Sequence, residues 1–402
     1  MENLHPIPYG RQHITDDDIA AVNEALLSDY LTQGPRIAEF EESFAEYIGC
    51  KYAMAVSNGT AALHLCAMAL NVLPGDKVIT TPITFVASAN CVCYCGGEVV
   101  FADIDPETYL LDVNSVRKLL ENSPRGTYKG IIPVDFAGRA VNLEAFRKLA
   151  DEHGLWIIED ACHAPGGYFE DVSGRKQLCG NGNFADLAIF SFHPVKHIAC
   201  GEGGMITTND EVLYKKLLLL RTHGITKDNK IFPYENSIEL ATGGYTGETD
   251  YPGWYMEMQQ LGYNYRITDF QAALGTSQLK RAGKGLARRK EIAKNYFNAF
   301  EGKAFIKGQS GVVDGHAYHL YVIEAEDRLN LYKYLRKHKI YAQIHYVPAH
   351  LMPYYRKFGW KQGDMPGAEN YYENCISLPM FPTLTEEEQQ LVIQAVENFY
   401  NK

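Results

Sequence analysis

The chain has 402 residues, which is long enough for two domains that each bury a sizeable core. Its composition, with 46% apolar and 22% charged residues, is typical of a globular protein. The net charge of −11 at pH 7 argues against a broad basic surface for nucleic acid or anionic lipid. The sequence has no long apolar run and no apolar leader near its N-terminus, so we expect a soluble, cytoplasmic protein without a membrane partner.

The nine cysteines do not form a recognisable framework, because their number is odd and their spacing irregular. Cys91, Cys93 and Cys95 alternate in "CVCYCGG", which we interpret as strand-like, and alternate strand positions do not easily bind one zinc ion. We therefore expect buried, reduced thiols, which also favour a cytoplasmic location.

The first two thirds of the chain alternate between predicted helices and strands. Thr15 and the acidic residues after it predict a helix over about 15–30. Helical patterns such as "TAALHLCAMALN" and "LEAFRKLADEHG" lie between short apolar runs. Seven such runs predict strands: 52–58, 77–82, 98–104, 130–136, 155–161, 187–193 and 204–209. This alternation predicts an α/β fold with a mostly parallel sheet covered on both faces.

The pattern changes after the helix predicted at 211–224. Residues 226–262 are rich in Gly, Tyr, Asn and Thr without a clean period, which is typical of a functional loop. Long helices follow over about 268–300, and the rest of the chain indicates a smaller α+β domain. We place the large domain, with its N-terminal helical segment, at 1–275 and the small domain at 276–402.

Lys196 is the first candidate for chemistry, in "SFHPVKHIACGEGG" (191–204) after an apolar strand. A lysine in an apolar pocket has a lowered pKa, and its uncharged amine can form a Schiff base with a carbonyl. The alternative is a metal-dependent hydrolase that uses His193, His197 and Cys200. Pro194 and the glycines that follow disfavour the helix that would align the two histidines, so we expect no metal here.

Two further candidates also follow predicted strands. In "SNGTAAL" (57–63), Gly59 and Thr60 open a helix whose free amides can bind a phosphate, although ordinary helix capping explains the same residues. Asp160 in "IIEDACHA" follows an apolar run, where an ionised carboxylate needs a partner such as a protonated pyridine nitrogen. Its alternative is a helix N-cap.

Three more residues complete a possible cofactor site. His163 can contact the same ring as Asp160, Phe85 in "TTPITFVASAN" (80–90) can stack on a flat ring, and Ser191 can reach a phosphate oxygen. A structural histidine and a core aromatic are the alternatives for His163 and Phe85. Together, a phosphate cup, a ring stacker, a carboxylate and a Schiff-base lysine describe a site for pyridoxal 5'-phosphate (PLP).

The same motifs resemble the DegT/StrS family of PLP-dependent sugar-nucleotide aminotransferases nearly end to end. The resemblance rests on motifs that follow one another in the family's order: "LTQGPRIAEFEESFAEYIG" (31–49), "SNGTAAL", "TPITFVASAN", "EDACHA", "SFHPVKHIACGEGG", "RTHG" and "GYNYRITDFQAALGTSQL" (262–279). It implies an aspartate-aminotransferase-like fold of type I with a seven-stranded sheet in the large domain.

The resemblance also implies a role for each candidate. Lys196 corresponds to the Schiff-base lysine and general base, and Asp160 to the partner of the pyridine nitrogen. Phe85 resembles the ring-stacking position. The phosphate binders would be Gly59, Thr60 and Ser191, joined by Asn264 from a neighbouring subunit, which implies a homodimer with shared active sites.

Finer features resemble one branch of the family. His163 stands where glutamine is commoner, and "VDFAG" (134–138) differs from a commoner version with histidine. Both features, with "LTQG", "TTPITFVASAN" and "HYVPAH" (345–350), resemble the branch of pseudaminic acid biosynthesis. That branch aminates C4 of a UDP-linked 4-keto-6-deoxy-N-acetylhexosamine with L-glutamate, giving a UDP-4-amino-4,6-dideoxy-N-acetyl-β-L-altrosamine.

Other interpretations stay open at the level of sequence. The chain could act at C4 or C3 of another UDP- or TDP-linked keto sugar, or be a catalytically silent regulator with the same fold. A related dehydratase subgroup has histidine in place of the lysine, and Lys196 argues against that activity.

Overall fold

A seven-stranded sheet organises the computed structural model, which describes residues 5–228, 230, 232, 241–242, 251–308 and 312–401. The strands in chain order are β1 (Ile7–Pro8), β2 (Tyr52–Val56), β3 (Lys77–Thr80), β4 (Glu98–Phe101), β5 (Tyr128–Ile132), β6 (Trp156–Asp160), β7 (Tyr168–Glu170), β8 (Lys176–Leu178), β9 (Leu187–Ser191), β10 (Gly204–Thr208), β11 (Ile225–Thr226), β12 (Glu257–Met258), β13 (Ile306–Gly308), β14 (Tyr321–Ala325), β15 (Ile340–Tyr341) and β16 (Cys375–Leu378).

The spatial order of the large sheet is β2-β10-β9-β6-β5-β3-β4. Strand β10 runs antiparallel to both neighbours, whereas the other strands pair in parallel. These seven strands are the seven that the apolar runs predict, and the mostly parallel α/β sheet is confirmed. Their nearly continuous burial follows from coverage by helices on both faces.

The helices are α1 (Asp16–Leu26), α2 (Pro35–Ile48), α3 (Gly59–Ala69), α4 (Ala87–Tyr94), α5 (Val113–Glu121), α6 (Leu143–His153), α7 (Glu211–Arg221), α8 (Asp269–Leu279), α9 (Ala282–Phe300), α10 (Arg328–Lys337), α11 (Pro353–Arg356), α12 (Pro366–Asn374) and α13 (Glu386–Tyr400). Several begin at side chains that satisfy free amides. Thr15 and Asp18 form the expected capping box of α1, and Asn58 caps α3.

The strand-like interpretation of "CVCYCGG" is wrong. Cys91 and Cys93 lie on α4, whose buried face packs toward α3 and the sheet, and Cys95 ends that helix. Alternation of small and apolar residues in a fully covered segment suits a buried helix as well as a strand, so periodicity alone did not separate them. All nine cysteines are free, five of them buried and four partly buried.

The C-terminal third forms a second, smaller core. Strands β13, β14 and β16 make an antiparallel sheet, and α9, α10 and α13 pack against it. The N-terminal strand β1 pairs in parallel with β15, so Ile7 belongs to this core rather than to the large sheet. Residue 275 lies inside α8, and a domain boundary near it stays a prediction.

The segment 226–262 is only partly described. Strands β11 and β12 pair antiparallel at its two ends, whereas 229, 231, 233–240 and 243–250 lie outside the described residues, so most of the predicted functional loop does too. Within the described ranges, no helix combines the length and apolar character that crossing a membrane requires.

Candidate active site

A cavity of about 680 Å³ opens where several strands of the large sheet end. Its walls include Asn58 after β2, Phe85 in the turn after β3, Asp160 at the end of β6 and Ser191 at the end of β9. The segments after these strands lie together because the carboxyl ends of parallel strands meet at one edge of the sheet. Lys196 and His163 complete the wall, so the cavity collects all the candidates except Asn264.

One end of the cavity is the N-terminus of α3. The Asn58 side chain accepts a hydrogen bond from the Ala61 amide at 2.8 Å, and the Asn58 carbonyl accepts from Ala62. Among the described residues, no hydrogen bond uses the Gly59 or Thr60 amide, as the first turn of a helix requires. The strand end predicted before this helix is confirmed.

Glycines keep this helix end open. A Cβ on Gly204 would lie 2.6 Å from the Asn58 carbonyl carbon and 2.9 Å from the Gly59 nitrogen. A Cβ on Gly59 would lie 3.1 Å from the Ser191 Cβ. The free amides and the Ser191 hydroxyl therefore border a space that fits an anion such as a phosphate.

Asp160 is 5% exposed and faces the same cavity. Its Oδ2 accepts a hydrogen bond from the Ser88 hydroxyl at 2.6 Å, and its Oδ1 accepts from the Cys162 amide at 3.1 Å. The residues after it form turns, so the alternative of a helix N-cap is wrong. Since no described cation pairs with this carboxylate, it is available to a protonated ring nitrogen.

Lys196 lies in the turn after β9, with its amine 3.4 Å from the Nε2 atom of His319. Burial lowers the pKa of Lys196 to about 8, although Cys162 and Asp160 act in the opposite direction. Roughly a tenth of the amine is therefore uncharged at pH 7, far more than for a lysine of ordinary pKa, and the uncharged amine is the form that makes a Schiff base.

His163 is buried, and burial lowers its pKa well below the usual value, which leaves the imidazole neutral. Its Nδ1 accepts the Ala137 amide at 3.2 Å, so Nε2 carries the proton and lies 3.5 Å from the Tyr346 hydroxyl. Tyr346 and His319 line the cavity as well. The sequence predicts pocket residues near His345 and Tyr346, in "HYVPAH", without indicating their contacts, and no strand-end pattern marks His319.

Phe85 and Asn264 take different positions. Phe85 is 60% exposed at the cavity, with its ring centroid 6.4 Å from that of Tyr346, so it is not a core aromatic. Asn264 is exposed and does not line the cavity of its own chain, whereas its neighbour Tyr265 does.

The residues of the metal hypothesis do not converge. His193 is exposed, His197 donates from Nε2 to the Ala317 carbonyl at 2.8 Å, and Cys200 is buried in an apolar cluster. Within the described ranges, the one group of ligand atoms close enough for a metal is Asp135, Glu159 and Cys179, which is buried behind β6.

One cavity contains four features: the free amides at the start of α3 beside Ser191, the Asp160 carboxylate, the exposed ring of Phe85 and the Lys196 amine with its lowered pKa. This donor set fits PLP, whose phosphate, ring nitrogen and aldehyde need such partners at three separate points. Fold and cavity together define the class of PLP-dependent aminotransferases.

The comparisons with known proteins define the family. The chain belongs to the DegT/DnrJ/EryC1/StrS aminotransferase family, whose model matches residues 12–397. It is 36% identical over 403 residues to the spore coat polysaccharide biosynthesis protein SpsC of Bacillus subtilis, covering 98% of this chain and 97% of that protein.

Solved structures agree with this membership. The chain resembles Helicobacter pylori PseC, an aminotransferase involved in the biosynthesis of pseudoaminic acid, with a TM-score of 0.87, 30% identity and coverage of 99% and 100%. It also resembles the PLP form of the putative sugar aminotransferase Spr1654 from Streptococcus pneumoniae, with a TM-score of 0.85, 27% identity and 99% coverage of each chain. The protein is therefore a PLP-dependent sugar aminotransferase.

Proposed function

We propose that this enzyme transfers the amino group of L-glutamate to C4 of a UDP-linked 4-keto-6-deoxy-N-acetylhexosamine. The observation that supports the sugar most directly is the end-to-end likeness to PseC. The product would be a UDP-4-amino-4,6-dideoxy-N-acetyl-β-L-altrosamine. The motifs that resemble the pseudaminic acid branch, His163 and "VDFAG" among them, support the same choice.

The cavity suits a hydrophilic sugar next to the cofactor. Beyond Lys196, its wall carries polar and aromatic side chains that can hydrogen-bond hydroxyls or stack on a pyranose or a base: Tyr9, Tyr94, His193, Glu202, His345 and Tyr346. A wall of this kind would orient a sugar nucleotide with its keto carbon toward the Lys196 amine.

The roles proposed for individual residues follow from their contacts. When bound, PLP supplies a carbonyl that condenses with amines and a ring that withdraws electrons from the attached carbon. Asp160, held by Ser88 and the Cys162 amide, keeps the ring nitrogen protonated by charge pairing. The amides of Gly59 and Thr60 and the Ser191 hydroxyl would bind the phosphate. Phe85 and His163 would contact the ring.

Lys196 carries the proton transfer. Its uncharged amine can accept a proton from the α-carbon of the donor as general base, and the ammonium group so formed can give a proton back as general acid. A pKa of about 8 suits both directions, because the ammonium form exceeds the uncharged amine by only about tenfold at pH 7 and both forms are populated. The half-reaction on the keto sugar uses the same amine in the reverse order.

We further propose a cytoplasmic homodimer in which Asn264 contributes to the partner's phosphate site. Its exposure outside its own cavity supports this arrangement. Nine free cysteines suit a reducing compartment. The second candidate function, amination at C4 or C3 of another UDP- or TDP-linked keto sugar, is favoured by the likeness to SpsC, a polysaccharide biosynthesis protein.

Two experiments and two variants test the proposal. Borohydride reduction should attach PLP covalently to Lys196, and a label on another lysine would refute the site. Incubation with glutamate and a panel of UDP- and TDP-linked keto sugars, followed by mass spectrometry and NMR, identifies the product. Lys196→Ala should fold and lose turnover, and Asp160→Asn should retain PLP with a severe loss of rate. Amination of a TDP sugar alone would select the second candidate.

A further inference from the structure

His319 contacts the Lys196 amine and has no role so far. Its Nε2 atom lies 3.4 Å from Lys196 Nζ, within hydrogen-bond distance, and the imidazole lines the cavity. The ring is buried and contacts His163, with ring centroids 4.4 Å apart. His319 comes from the segment before β14, so it reaches the lysine from the C-terminal part of the chain.

The backbone around His319 is fixed from two sides. On one side, the Ala317 amide donates to the Gly138 carbonyl at 2.7 Å and the Leu320 amide donates to the Ala137 carbonyl at 3.1 Å. Gly138 has a positive φ, and a Cβ there would lie 2.8 Å from the Tyr318 nitrogen and 2.9 Å from that of His319. Only glycine permits this close approach of the two segments.

On the other side lies Arg289 of α9, which is 1% exposed. Its Nη1 donates to the carbonyls of Tyr318 and His319, both at 3.2 Å, and to that of Met380 at 3.1 Å. No described carboxylate forms an ion pair with it. A buried guanidinium bonded to backbone carbonyls places His319 firmly, because moving the segment would leave that charge without its acceptors.

We propose that His319 is a positioning residue that holds the Lys196 amine by a hydrogen bond and so presents its lone pair to the cavity. This inference rests on the proposed role of Lys196. A lysine side chain has four rotatable bonds, and in the absence of a partner its amine samples several rotamers. One hydrogen bond from the amine N–H to Nε2 of the rigid imidazole selects the productive rotamer and leaves the lone pair of the amine free.

The charges around Lys196 act separately from this orientation. Burial lowers the pKa of Lys196, Cys162 and Asp160 raise it, and Arg289 lowers it again. Burial also keeps the neighbouring imidazoles neutral by lowering their pKa values. The groups that interact electrostatically with the amine are Asp160, Cys162, His163, His197, Arg289, His319 and His345. Removal of the neutral imidazole of His319 should therefore change how fast the uncharged Lys196 amine reacts more than it changes the pKa of that amine.

The test measures the nucleophilicity of Lys196 without turnover. The full-length chain is freed of bound aldehyde with hydroxylamine and acetylated with acetic anhydride across pH 6–10. Mass spectrometry quantifies the modification of Lys196 against that of Lys51, an exposed lysine of the same chain. The plateau at high pH reports the orientation and access of the amine, and the midpoint reports its pKa.

Two variants separate the hydrogen bond from packing. His319→Phe keeps an aromatic ring beside His163 but removes both ring nitrogens, whereas His319→Gln keeps a polar group of similar reach. We expect His319→Phe to lower the plateau about tenfold with the midpoint within a few tenths of a pH unit, and His319→Gln to stay within about twofold of wild type. His319→Leu replaces the Phe variant if that one does not fold.

Each other outcome overturns the inference. Equal plateaus in all three chains mean that the hydrogen bond does not position the amine, and equally low plateaus in both variants mean that the ring acts through packing alone. A wild-type chain that borohydride does not label at Lys196 refutes the proposed function instead. The two failures are therefore distinguishable.

Discussion

At the scale of single residues, the most unusual feature is a pair of carboxyl groups buried behind Asp160. Asp135 and Glu159 are both fully buried. One carboxyl oxygen of each, Oδ2 of Asp135 and Oε1 of Glu159, accepts no hydrogen bond from any described residue outside the pair. Burial raises the pKa of Asp135 to about 7 and that of Glu159 well above its usual value. Because two adjacent buried carboxylates repel each other, the pair retains at least one proton near neutral pH.

This pair makes stability depend on pH. In the unfolded chain both groups release their protons near pH 4, whereas in the folded chain the first proton leaves the pair only near pH 7 and the second at a higher pH. On these two groups the folded state thus binds more protons between pH 4 and pH 7, so their contribution to the free energy of unfolding falls as pH rises through that window. We expect this contribution to fall by on the order of 1–3 kcal/mol between pH 5 and pH 8, while the buried histidines, whose pKa values are lowered, contribute with the opposite sign.

Asp135→Asn should remove most of this dependence, because an amide can donate to Glu159 without a titrating proton and can still accept from the Val141 amide. Denaturant unfolding at pH 5 and pH 8 measures the effect. The exposed substitution Asp29→Asn serves as the control. If the stability of the Asp135→Asn variant changes by the same amount as that of wild type between pH 5 and pH 8, the shared proton is excluded.

Ser88 offers a prediction for the site itself. Its hydroxyl donates to Asp160 at 2.6 Å, and both side chains are buried. Ser88→Ala removes one of the two donors that hold this carboxylate, so we expect PLP affinity and turnover to fall about tenfold with the fold intact. Absorbance titration with PLP and steady-state rates measure both quantities. Ser123→Ala, far away before β5, should change neither, and an unaffected Ser88→Ala would remove the serine from the site.

These residues show where sequence reasoning stops. Lys196, Asp160 and Gly59 were accessible because each follows an apolar run, and a strand end is readable from local pattern. Ser88, His319 and Tyr346 reach their partners across 72, 123 and 183 residues, respectively. Contacts at such separations depend on tertiary packing, which no local pattern encodes, so the partners of these side chains are visible only in the folded chain.

At the scale of elements, the start of α3 combines two functions that mutation can separate. Asn58 caps the helix, and the next two residues line the cavity. Asn58→Ala should cost about 1 kcal/mol of stability, because the Ala61 amide loses its acceptor. Asn58→Asp should keep that stability, since a carboxylate caps a helix as well as an amide does.

The same two variants should differ in PLP binding. The carboxylate of Asn58→Asp stands beside the phosphate site and repels a dianion, so we expect its PLP affinity to fall at least about tenfold at low salt and to recover partly as salt rises. Asn58→Ala should bind PLP more tightly than Asn58→Asp despite its lower stability. Denaturant unfolding of the chain without PLP measures the stability of both variants, and PLP titration measures their affinities. Equal PLP affinities of the two variants would argue against a phosphate site at the start of α3.

Elements also mark the limits of pattern reading. The seven strands of the sheet were predictable because a parallel sheet covered on both faces needs short continuous apolar runs. The helix α4 was not, since most of its residues are buried and it shows no clear amphipathic period. Within fully covered segments, composition reports burial rather than conformation.

At the scale of the molecule, the segment around β1 pairs with the C-terminal part of the chain. The Ile7 amide donates to the Lys339 carbonyl at 2.9 Å, and the Met380 amide donates to the Tyr9 carbonyl at 2.9 Å. Tyr9 in turn lines the cavity. The first described residues therefore join the C-terminal core to the active site, a long-range connection that sequence analysis did not anticipate.

This pairing predicts an unusually sensitive N-terminal residue. Ile7 is 1% exposed in the C-terminal core, so Ile7→Ala should lower the free energy of unfolding by about 2–4 kcal/mol through a cavity that cannot fully collapse. Ile14→Ala, at a position that is 44% exposed, should change it by less than about 0.5 kcal/mol. Differential scanning calorimetry of both variants measures the contrast. Because Tyr9 comes directly after the same strand, Ile7→Ala should also raise the KM for the sugar nucleotide. If β1 did not contribute to the C-terminal core, both variants would be equally stable and equally active.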